Sequence, residues 1–163
     1  MREGQDRAEL AKSVETALAE RFGETFRVDP AVSGLDELAR IAAQRSHRRF
    51  LPRAVEPDLV RLLCACALSA PSKSDLQQAD ILVVHDRDKQ QAIAALIPDM
   101  PWIAQAPVLL LFLADASRLP RIAQLRGKPF PNDHLDLFFN AVADAAIVLG
   151  TFLRAAAAGG MGC

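Results

Sequence analysis

The densest group of side chains able to hold an anion is Arg45-Ser46-His47-Arg48-Arg49, with Arg53 close behind. Guanidinium groups beside a hydroxyl make a fork of donors suited to phosphate oxygens, although a basic surface that merely faces water has the same spacing. A second polar run, Ala70-Pro71-Ser72-Lys73-Ser74-Asp75-Leu76-Gln77-Gln78, gathers hydroxyls, amides and an ammonium. Such a set can meet the edge of a heteroaromatic ring with several donors and acceptors at once; alone, it also reads as an ordinary polar turn.

Other reactive residue types point away from metal or nucleophilic chemistry. Cys64, Cys66 and Cys163 are odd in number and lack zinc spacing, which suits a reducing compartment. Two positions apart on a helix, Cys64 and Cys66 point about 200° apart and are expected as buried helical cysteines. His47, His85 and His134 have no ligand spacing, so no metal site is expected. The glycines of Gly159-Gly160-Met161-Gly162 follow a helix instead of a strand, so they read as a helix stop and not as a dinucleotide fingerprint. There is no nucleophile elbow and no phosphate loop ending in Gly-Lys-Ser/Thr.

The elements that must position these groups follow from periodicity. Residues 5–22 carry Leu10, Val14, Leu18 and Phe22 at helical spacing, ending at Gly23. A second helix is expected from a capping arrangement near Ser33 and Asp36, through Leu38, Ile41 and Ala42, to about Arg45. Pro57 suits the first turn of a third, with Leu59, Leu62, Leu63 and Cys66 on one face and a stop at Ala70-Pro71. The β-branched run Ile81 to Val84 predicts a buried strand, Asp86 or Asp88 caps a helix to about Ile97, and Val108 to Leu113 predicts a second strand. Between Ser117 and Pro131, three prolines and a glycine predict a mobile segment with one short helix. Asn132 is expected to cap a long helix to Ala158, with Asp136, Asn140 and Asp144 as a polar stripe and an apolar second half that needs covering.

The chain has 163 residues, 51% of them apolar, which is enough for a core and short for two ordinary domains. Nineteen basic residues against 20 acidic ones leave a formal charge of -1, giving no global reason to expect nucleic acid or an anionic membrane. The charged stretch from Arg2 to Glu9 is unlike a signal peptide, and Asp144 and Arg154 interrupt the apolar stretch 141–158, so a cytoplasmic protein without a membrane span is expected. Two strands are too few for an independent sheet, so the chain reads as part of a larger fold.

Taken in order, Arg45-Ser46-His47-Arg48-Arg49-Phe50, Ala70-Pro71-Ser72 through Gln77, Ile81 to Val84, Ala106-Pro107-Val108 and the long helix resemble the FMN-dependent nitroreductase family from about Leu38 to the end. The resemblance implies an α+β fold with a central sheet flanked by helices and a long dimer helix, incomplete at its C-terminus. It divides the chain into an N-terminal helical extension, 1–32, and an FMN-binding domain, 33–163. Arg45 and Ser46 would contact the FMN phosphate and ribityl chain, and Arg48 the pyrimidine edge of the ring. Pro71, Ser72, Lys73 and Asp75 would reach the flavin from the other subunit of a homodimer, with Gln77 supporting the loop.

The implied chemistry is hydride transfer from NADH or NADPH through flavin N5 to a nitroaromatic, quinone or similar conjugated small molecule. No protein side chain is implied as a catalytic acid, base or nucleophile. The alternative is a non-catalytic flavin-binding or dimerisation module, or an inactive fragment. The sequence departs from the family pattern at Gln44, where arginine is usual, at Asp75, where asparagine is usual, and at Gln78-Ala79, which replace Pro-Trp.

Overall fold

A computed structural model describes residues 2–163, with side chains from residue 5 onward. It divides into two compact units, the first comprising residues up to Ser46 with Ala156–Cys163, the second His47–Ala155.

In the first unit, α1 (Arg2–Phe22) and α2 (Leu35–Ala42) pack around Ala11, Val14, Leu35 and Ala42, with Leu10, Ala17, Leu18, Val28 and Ala39 against that cluster. Gly23 ends α1 at φ +71, the left-handed conformation that glycine adopts without a Cβ penalty. The expected capping arrangement at Ser33 does not form. Gly34 is the N-cap residue, at φ 72 with no side-chain bond, and the helix stops at Ala42 instead of near Arg45. The intervening segment is secured by side chains of α1: Arg7 donates to the carbonyls of Pro30 and Val32 at 2.7 Å each, and Glu15 accepts from the Val28 amide at 3.0 Å. That amide, together with Lys12, holds the Glu15 carboxyl below its ordinary range.

The second unit contains α3 (Pro57–Leu68), β1 (Ala79–Val84), α4 (Arg87–Ala95), β2 (Leu109–Ala114), α5 (Arg118–Leu125) and nearly all of α6 (Leu135–Ala158). On α3 the buried face is Val60, Leu63 and Ala67, one step round from the face read from sequence; Leu62 and Cys66 are exposed. Cys64 is half-buried, and burial pushes its thiol pKa up. Expecting both cysteines to be buried was therefore wrong for Cys66.

β1 and β2 pair antiparallel, with Ile81 opposite Phe112 and Leu82 opposite Leu111. Alternation puts Ile81, Val83, Phe112 and Leu110 on one face, where the Phe112 ring meets Phe152 of α6 edge-on at 5.4 Å. The other face carries Leu82 and Leu113, both exposed, so the apolar strand runs are only half covered.

Asp86 caps α4, accepting from the amides of Asp88 at 2.9 Å and Lys89 at 3.1 Å. Helix α6 begins at Leu135, three residues after Asn132, and the Asp136 amide donates to the His134 imidazole at 3.3 Å. By length and composition α6 could cross a membrane, but its Asp144 is buried and hydrogen-bonded to a loop of the protein. Those bonds belong to a helix packed on protein. The fold class is α+β, a small antiparallel sheet flanked by helices with a long C-terminal helix.

Candidate functional site

Residues 71–78 link α3 to β1 in a conformation that ordinary side chains avoid. Ser74, Asp75 and Gln77 have φ of 53, 55 and 51, a left-handed backbone without glycine. Each such residue costs roughly 1–2 kcal/mol, so the surroundings must hold the loop in place. Within the loop, the Gln77 amide donates to Ser72 Oγ at 3.2 Å and its side chain donates to Asp75 Oδ1 at 2.9 Å.

Two other elements grip the loop. Asp144 of α6, only 1% exposed, accepts from the Lys73 amide at 3.0 Å through one oxygen and from the Gln78 amide at 3.1 Å through the other. Arg118, at the start of α5, donates to the Gln77 carbonyl at 2.9 Å. The Gln78 carbonyl also accepts from the Asp115 amide at 3.0 Å, which joins the loop's end to the end of β2. The Gln78 side chain is fully buried, and its amide has no hydrogen-bond partner among the described residues.

Beside this junction lies a carboxylate pair. Asp80 faces Arg118 at 3.4 Å and shares a hydrogen bond with Asp115. Burial, then the neighbouring Asp115, raises the Asp80 pKa. Hydrogen bonds from Ser117 lower that of Asp115, so of the two Asp80 is the first to take up a proton as pH falls.

The sequence-derived residues take their places as follows. Pro71, Ser72, Lys73, Asp75 and Gln77 are brought together in the loop; all but the partly buried Ser72 are exposed. The Lys73 ammonium lies 3.9 Å from Asp136. Arg48 is exposed in the same unit, its guanidinium 5.2 Å from the centre of the Trp102 ring, a cation-π contact that limits its wandering. Trp102 lies on a short 3-10 turn, Pro101–Gln105, tied to α4 by Gln90, which donates to the carbonyls of Ile103 at 2.8 Å and Ala106 at 2.9 Å. Arg45 and Ser46 belong to the first unit and are exposed on the irregular segment after α2. Among the described residues no group of His, Cys, Asp and Glu could hold a metal.

Sequence reasoning missed Asp144, Arg118 and Trp102 as parts of this arrangement. Asp144 left the clearest signal, the last carboxylate of the polar stripe where the long helix turns apolar, which must find donors once buried. Arg118 lay in a segment read as mobile with one short helix, which is α5. Nothing in the spacing connects Trp102 with Arg48.

The family model for the nitroreductase family matches residues 41–163. The chain belongs to the nitroreductase family. It is 34% identical over 121 residues to the FMN reductase [NAD(P)H] of Bacillus subtilis, covering 72% of this chain and 48% of that protein. Among solved structures it resembles NfrA2 of B. megaterium, with a TM-score of 0.74 at 31% identity, over 78% of this chain and 52% of that one. The hypothetical oxidoreductase YcnD of B. subtilis gives 0.74 at 30% identity with the same coverage. The chain thus spans about half the length of the relatives it matches.

Proposed function

We propose that this chain is the FMN-binding part of an NAD(P)H-dependent oxidoreductase that reduces a nitroaromatic, quinone or similar conjugated acceptor. The observation that carries this reading is the 71–78 loop, strained at three residues and hydrogen-bonded from two helices, an arrangement a plain connection would not need.

The donor set fits a flavin. Arg45 and Ser46 would hold its phosphate and ribityl chain, since guanidinium and hydroxyl donors match phosphate oxygens. Pro71, Ser72, Lys73 and Asp75 would border the ring, with Gln77 supporting the loop. Where the family pattern has asparagine, ionised Asp75 can only accept hydrogen bonds, so it suits a ring N–H while the Lys73 ammonium serves ring carbonyls. Arg48, steadied by Trp102, would place positive charge at the pyrimidine edge. When bound, FMN supplies the hydride chemistry, accepting from NADH or NADPH and delivering to the acceptor. The side chains bind, orient and compensate charge.

The same reading makes 33–163 the flavin domain and 1–32 a helical extension, in a cytoplasmic homodimer. Leu135, Phe138, Phe139, Val142 and Leu149 of α6 are exposed at helical spacing, a stripe that a second copy would cover.

The test is anaerobic addition of NADPH, then NADH, to the FMN-loaded chain. Loss of the yellow absorbance band is expected with at least one of them. Bound flavin that stays oxidised with both would leave a flavin-binding module without the reductase step.

A further inference from the structure

We infer that Asp144 and Arg118 are positioning residues that set the 71–78 loop in its ligand-ready shape before the ligand arrives, an inference that rests on the flavin reading above. Asp144 spends both carboxylate oxygens on the loop, one on the Lys73 amide and one on the Gln78 amide, fixing the two ends of a six-residue arc. Arg118 fixes the carbonyl of Gln77, a residue held at φ 51. The three left-handed residues lie between these anchor points or on one of them, and relaxed backbone would leave that region of φ.

Each clamp uses backbone groups of the loop, so the side chains of its middle stay free of the clamps, whereas that of Gln78 is buried. Ser74, Asp75 and Gln77 are exposed, and so is Lys73. Preorganisation of this kind raises affinity because the ordering cost is met on folding and not on binding. The Arg118 ion pair with Asp80, exposed on both sides at 44% and 45%, adds little by itself. The carbonyl bond is what matters for the loop.

Variants of the full chain are titrated with FMN and followed by flavin absorbance, with thermal melting measured alongside. Asp144→Asn keeps the shape but sets an amide N–H₂ against one of two N–H donors, and FMN binding is expected to weaken about tenfold or more. Arg118→Ala, on the surface and not needed for the core, is expected to weaken it several-fold, and Arg118→Lys to restore most of the loss because an ammonium can still donate to the Gln77 carbonyl. Arg121→Ala removes the same charge from the same helix and should leave binding unchanged. The bound flavin of Asp144→Asn and Arg118→Ala should also show an altered visible band shape, which a loss of global stability would not produce.

Equal FMN affinity and band shape in folded Arg118→Ala and wild type, or no recovery by lysine, would overturn the assignment for Arg118. A lowered melting temperature of Asp144→Asn with wild-type FMN affinity and spectrum would make Asp144 a structural residue only. Failure of the wild-type chain to bind FMN would instead overturn the flavin reading, and this inference with it.

Discussion

Asp80 and Asp115 show how one residue's environment sets its neighbour's. Asp80 is raised by burial and by Asp115, so what it contributes to stability is present below the unfolded carboxylate pKa and is lost as pH rises through its raised folded value. Asp115 is lowered by Ser117, so its contribution is present above the unfolded value and lost as pH falls through its lowered one. Above the range of both, ionised Asp80 is a net cost. Asp80→Asn keeps an oxygen for Arg118 and gives Asp115 an N–H donor, so near pH 7 it should melt no lower than wild type. That advantage should shrink towards pH 4, as protonation relieves wild type of the cost. Thermal melts across this range check it; a variant less stable than wild type at neutral pH would show that the ionised pair stabilises the fold.

At the scale of elements, the turn that carries Trp102 is held by side chains of α4, Arg87 and Gln91 at its surface and Gln90 inside. Gln90 is 2% exposed and serves the carbonyls of Ile103 and Ala106 while accepting from Arg87 at 2.8 Å. Gln90→Leu removes the side-chain donor of the Ile103 carbonyl while Arg87 still reaches that of Ala106 at 3.1 Å, and should destabilise the chain by roughly 1–3 kcal/mol, read from denaturant unfolding. Helices α1, α2, α3 and α6 and both strands had apolar patterns, because apolar spacing is a local signal, whereas α4 was read from its capping aspartate and α5 only as a short helix in a broken segment. The errors lay at helix ends and on faces. Asn132 is a good capping residue, yet α6 starts at Leu135; Ser33 yields to Gly34; and Val60 takes the buried place on α3 given to Leu62. These choices are made by packing partners distant in sequence. For the same reason the loop at 71–78 was legible as a polar cluster, whereas its clamps, 41 and 66 to 71 residues away, were not.

For the whole molecule, the chain belongs to the nitroreductase family and spans about half the length of the relatives it matches. The exposed face of the two-stranded sheet, Leu82 with Leu113, and the exposed stripe of α6 are apolar surfaces of the kind an assembly covers. If a second copy covers α6, the wild-type chain sediments as a dimer, and Val142→Glu, which places a charge in the stripe, shifts it to monomer. A monomeric wild type would remove the homodimer from the proposal without touching the family assignment.

The proposed flavin site at 71–78 stands or falls on an FMN titration of the purified chain followed by absorbance. Saturable uptake approaching one FMN per chain is predicted, weakened about tenfold when Lys73 and Asp75 are both changed to alanine. No uptake, or uptake indifferent to that double substitution, would contradict it.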